Sequence, residues 1–142
     1  MPTTINLQEA ITDVQTTIAA ITGIRHAPNY PPEDAAVYPF VVAYAGSGEF
    51  RTGEPAGALK YLGSIIIDLH VARKDLPRDA EKAMTYHTTI PNDILKDVTL
   101  GGNIDTCGPV SCSGLIAMSY GGQDTLGLRF TIENVKILAA FT

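Results

Sequence analysis

YLGSIIIDLHVARKDLPRDAEKAMTYHTTIPNDILKDVTL, residues 61–100, decides the fold, because in it one strand runs straight into helical sequence and the rest of the chain must serve both. Tyr61, Gly63, Ile65, Ile67, Leu69 and Val71 fall on one side of a period-two ribbon, and Ser64, Asp68 and His70 fall on the other. The β-branched run Ile65-Ile66-Ile67 favours a pleated strand with one buried face, and Lys74-Asp75 ends it. Asp75 suits a helix N-cap and Pro77 suits the first turn, where its missing N–H is not needed. Leu76, Ala80, Ala83, Met84, His87, Ile90, Ile94 and Leu95 then recur at three- and four-residue spacing, a stripe placed to cover the strand. Pro91 removes one backbone donor and crowds the preceding turn, so the helix is predicted to kink or restart near Ile90 as two segments.

Upstream, Asn6 and Glu9 have the spacing of a capping box. Leu7, Ile11, Val14, Ile18 and Ile21 mark an amphipathic helix that Gly23 can end. The prolines of APNYPP, residues 27–32, forbid regular structure, and Phe40 to Ala45 is apolar enough for a central strand stopping at Gly46. GSGEFRTGEPAGA, residues 46–58, is predicted to be a long mobile loop whose sizeable side chains, Glu49, Phe50, Arg51 and Glu54, await a partner.

Downstream, Gly101-Gly102 turns the chain into a β-rich tail. Gly114 to Tyr120 is strand-like, residues 121–124 form a turn, and Leu126, Leu128, Phe130 and Ile132 alternate. The phase then slips to Val135 and Ile137, which demands a bulge or bend near Glu133-Asn134. The predicted architecture is α+β: an antiparallel sheet of four to five strands with two helices packed against it, in the order α-β-β-α-β-β.

Composition narrows the function. A chain of 142 residues forms one domain, 1–142, able to bury roughly 68 to 70% of its unfolded surface. Ten basic against fifteen acidic residues give a net charge of -5, and no basic run exceeds Arg73-Lys74, which argues against gripping nucleic acid or anionic lipid. No apolar run approaches the roughly 18 residues of a membrane span, and nothing resembles a signal peptide, so a soluble protein is expected. Cys107 and Cys112 cannot form a zinc site alone. They are expected as reduced thiols, with a disulfide across Gly108-Pro109 as the lesser reading.

Asp68 and His70, two apart on one strand face, could orient a general base or begin a metal site. The simpler reading is a strand face meeting solvent or a neighbouring chain, for which Ile66, Asp68 and His70 are candidate interface residues. His26 lies among turn residues, no third ligand has a recognisable spacing, and no serine sits in a GxSxG elbow. Gly46-Ser47-Gly48 is neither a P-loop nor a dinucleotide fingerprint. The expectation is no enzyme, no metal and no cofactor.

The order of elements resembles the tail terminator family of long-tailed, siphovirus-type bacteriophages. An N-terminal amphipathic helix and a proline-bearing segment lead to an apolar strand, and a glycine-rich stretch precedes the strand in IIIDLHVARKDLP. The LGGNID turn and the closing LGLRFTIENVKI strand are also similar to that family's C-terminal half. The resemblance implies a structural virion protein of the tail or neck, made in the host cytoplasm. It implies a hexameric ring on the last ring of tail tube protein, which ends tube polymerisation and presents a surface to head-completion or connector proteins. DNA would pass through the lumen without specific binding, which an acidic wall favours. Alternatives are another neck or tail-completion protein, and, from a different class, a small hydrolase or ligand-binding domain using Asp68 and His70.

Overall fold

The computed structural model describes residues 5–33, 37–53 and 57–140. Seven elements follow one another: α1 (Leu7–Ala19), β1 (Phe40–Thr52), β2 (Ala58–Ala72), α2 (Leu76–Met84), α3 (Thr89–Leu95), β3 (Val110–Tyr120) and β4 (Gln123–Ala140). The strands form one antiparallel sheet in the order β1-β2-β4-β3. The class is α+β, and the central helical sequence is indeed two segments, α2 and α3, with Pro91 inside the first turn of the second.

Hydrophobic matching sets the register. Ile65, Ile67 and Leu69 of β2 lie opposite Ile132, Phe130 and Leu128 of β4, and Ala43 and Val41 of β1 lie opposite Ile67 and Leu69. Ala10, Ile11, Val14 and Ile18 of α1 and Ile90 and Ile94 of α3 bury their apolar faces in the same cluster. Val71 and Leu126 extend this face to meet Ala83 of α2. Asn6 caps α1 by accepting from the Glu9 amide. At α2 the roles are reversed: Asp75 makes no side-chain cap, and Asp79 reaches back to accept from the Lys74 and Asp75 amides at 2.7 and 2.8 Å.

The stripe read along α2 and α3 is only half right. Ala83, Ile90 and Ile94 are buried, but Leu76, Met84, Leu95 and His87 are exposed, and the buried aromatic of this region is Tyr86 in the turn between the helices. The break at residues 85–88 rotates the second segment, so one continuous helical wheel misplaces its ends.

The larger correction concerns residues 46–58. The stretch from Gly46 to Thr52 is not a loop: it continues β1, and Gly48 to Thr52 pair with Gly63 to Leu59. Glu49, Phe50 and Arg51 are therefore strand residues, and Glu54 lies outside the described residues. Glycine serves packing here. A Cβ on Gly48 or Gly63 would come within 2.4 or 2.2 Å of the Tyr61 hydroxyl, so the bare backbone makes room for that ring. The predicted slip in β4 is present: the register shifts between Ile132 and Val135, and Asn134 adopts a left-handed φ of 53°. Matching shifts occur in β1 between Ala45 and Gly48 and in β3 between Cys112 and Leu115. Both cysteines are free, Cys107 buried and Cys112 exposed. No helix among the described residues is long and apolar enough to cross a membrane.

Candidate functional site

Strand alternation puts Tyr44, Asp68, His70 and Arg129 together on the sheet's second face, away from the helices. Across it, Tyr44 and Val42 of β1, Asp68 and His70 of β2, Arg129 of β4 and Ile116, Met118 and Tyr120 of β3 line a groove of about 580 Å³, together with Pro31 from the segment before β1. No helix residue lines it. The floor holds a bidentate ion pair, with Arg129 Nε donating to Asp68 Oδ1 at 2.8 Å and Nη2 to Oδ2 at 3.1 Å. Tyr44 donates its hydroxyl to Asp68 Oδ2 at 2.9 Å. Burial, reinforced by the hydrogen bond to the carboxylate, pushes the Tyr44 phenol up to about 12, and the Asp68 partnership raises the already high Arg129 pKa.

His70 lies on the same side of β2 as Asp68 but turns to a different partner, with Nδ1 2.7 Å from Thr125 Oγ1. Its Nε2 has no hydrogen-bond partner among the described residues. Phe40 stacks on its ring at 5.8 Å, while Tyr120 tilts against both rings and donates a hydrogen bond to the Pro32 carbonyl. Burial, with the Arg129 charge adding to it and Asp68 opposing, lowers the His70 pKa below its usual 6.5.

Of the two settings expected for these residues, solvent or a neighbouring chain, the first does not hold: Asp68 is 5% exposed and His70 2%. Ile66 shares their face, half-buried opposite Tyr44 and Thr131, but does not line the groove. Glu49, Phe50 and Arg51 lie on the far half of β1, where Glu49 and Arg51 pair at 2.7 Å and Phe50 is 62% exposed. The structure thus separates the two sets of predicted site residues and adds Tyr44, Arg129 and Thr125, which sequence reasoning missed. The available signal was register: once Leu69 is matched to Leu128 and Ile67 to Phe130, Asp68 must meet Arg129.

Chemically, the arrangement holds more than it reacts. The Asp68 carboxylate is occupied by three donors, the Tyr44 phenol stays protonated near neutral pH, and His70 is sealed from water, so none is presented as a base to an incoming substrate. Among the described residues no group of three or more His, Cys, Asp or Glu side chains could hold a metal ion.

His70 has a measurable consequence. Its folded pKa is depressed, so between the unfolded and folded values the unfolded chain binds the proton and the folded chain does not. Stability should be unaffected by this group above about pH 7, fall as pH drops through 6.5, and level off below the folded pKa, with a slope of at most about 1.4 kcal/mol per pH unit. Urea midpoints of the wild type and His70→Gln from pH 8 to 5 check it. The difference between the two should shrink toward acid, and a constant difference would rule out a buried neutral histidine. No protein-family model and no curated protein matches the chain.

Proposed function

We propose that this chain is a structural subunit of a phage tail. In this reading it forms a ring, hexameric by family resemblance, that caps the tail tube, ends its polymerisation and joins it to head-completion proteins. The observation that carries the reading is the one-sided finish of the sheet. All three helices pack on one face, while the groove face has no helix on it and no strand lies outside β3, or outside β1 beyond Val41, among the described residues. Such a subunit offers a broad second face and two edges to copies of itself and to other proteins. The net charge of -5 suits a conduit along which DNA slides. The groove's locked ion pair favours assembly over hydrolysis, since it supplies rigidity and no free base.

The test is direct. Purified chain added to polymerising tail-tube subunits should appear by electron microscopy as a ring at one tube end, and tube length should stop increasing. Tubes that elongate unchanged with no chain bound would sink the proposal.

A further inference from the structure

We infer that a basic hollow at the far end of the sheet, formed by Arg51, Lys60 and Lys136, receives the carboxylates of Glu9, Asp13 and Asp97 from a second copy of the chain. The inference rests on the ring reading and names the charges that join its subunits. Arg51, Thr52, Gly53, Lys60, Lys136 and Leu138 line a space of about 510 Å³. Among the described residues this lining holds three cations and no carboxylate, in a chain whose net charge is -5. Register brings the cations together. Arg51 lies directly opposite Lys60, and Lys136, opposite Leu62, is the diagonal neighbour of Lys60, so all three project from the face that carries no helix.

Like charges set side by side on a sheet destabilise it. Lysine on an edge strand deters unwanted pairing, but Lys60 and Lys136 belong to β2 and β4, the two central strands, so edge protection does not account for them. Arg51 is partly answered by Glu49 at 2.7 Å. Neither Lys60 nor Lys136 has a carboxylate within ion-pair distance among the described residues.

The opposite imbalance lies on the helix side. Glu9 and Asp13 are one turn apart on α1, and Gly101 lies against both Asp13 and Asp97: its amide donates to Asp97 Oδ2 at 3.0 Å, and a Cβ on it would fall 2.7 Å from Asp13 Oδ1. Burial, and after it the Asp97 charge, raises the Asp13 pKa above its ordinary value. None of the three carboxylates meets a cation among the described residues. Because α1 packs on the core side and the hollow opens on the other, one chain cannot join its own two surfaces. Complementary surfaces on different faces of one molecule give a head-to-tail contact, the kind that closes into rings when the rotation allows. A phosphate backbone would suit the hollow alone, whereas a second copy answers both surfaces at once.

Charge reversal on each side tests it. Lys60→Glu with Lys136→Glu makes the hollow acidic, and Glu9→Lys with Asp13→Lys makes the helix side basic while sparing the Asp97 turn, with melting curves confirming that both variants fold. In sedimentation at low salt, wild type should form closed oligomers that weaken as sodium chloride is raised, and each variant alone should associate at least about tenfold more weakly. Mixed one to one, the variants should recover the wild-type oligomer, since each surface again meets its opposite. As a second measurement that needs no variant, carbodiimide coupling of mixed unlabelled and isotope-labelled wild type should link Lys60 or Lys136 of one copy to Glu9, Asp13 or Asp97 of another. Variants that assemble like wild type, a mixture that does not recover, links only between other residues, or wild type that stays monomeric at high concentration would overturn the contact. So would a reversed hollow that loses only the retention of a DNA duplex. Rings that still form on tail tubes from either variant leave the ring proposal standing, whereas absence of wild-type rings on tail tubes removes the ring itself.

Discussion

Replacing Ile67 by alanine should destabilise the protein by about 2 to 5 kcal/mol, as for other buried large-to-small changes. Ile67 is fully buried at the centre of β2, between Ala43 of β1 and Phe130 of β4. Ala43 is too small to expand into the space, and Phe130 is held in its own strand, so much of the cavity would persist. At about 3 °C per kcal/mol for a domain of this size, the melting temperature should drop by roughly 6 to 15 °C. Chemical denaturation gives the number independently. The same change at Ile66, half-buried on the opposite face, is the control and should cost clearly less. A loss below half a kcal/mol at Ile67 would mean that the faces of β2 are reversed.

A second large effect is expected from adding a single methyl at Gly127. This residue lies opposite His70 in β4, and a Cβ there would fall 1.7 Å from the Leu69 carbonyl oxygen and 2.8 Å from the Met118 methyl. Met118 can rotate away, but the Leu69 backbone belongs to the central strand pair and can yield only by opening it. Gly127→Ala should therefore cost about 3 kcal/mol or more, at the upper end of overpacking. Amide exchange would locate the damage, with protection lost first around Leu69 to Val71 and Leu126 to Leu128. A variant with wild-type melting and wild-type exchange would show that the strands pass at a wider spacing.

What was legible in the sequence follows from which forces act locally. Strand β2, the capped start of α1, the restart of the helix near Ile90 and the bulge at Asn134 were all written in periodicity and in residues with restricted backbones. The outer half of β1 was not. GSGEFRT has turn composition, and what makes it a strand is pairing with residues 59–63 and the space its glycine leaves for Tyr61. The site divides in the same way. Asp68 and His70 could be singled out from alternation alone, but their burial and partners depend on β4 lying beside β2, sixty residues away in sequence. Leu76, Met84 and Leu95 were misjudged because helical spacing fixes a side chain's direction only while the helix stays in phase.

The three register shifts carry one more implication, for the free chain. Both outer strands are interrupted, β1 between Ala45 and Gly48 and β3 between Cys112 and Leu115, so neither presents a long straight ladder of free amides and carbonyls. An arbitrary extended peptide can align with only five or six residues before its hydrogen bonds fall out of step, which is about the minimum length for fibre nucleation. The free chain in a crowded cell is thus guarded against indiscriminate strand-to-strand zippering along these two edges.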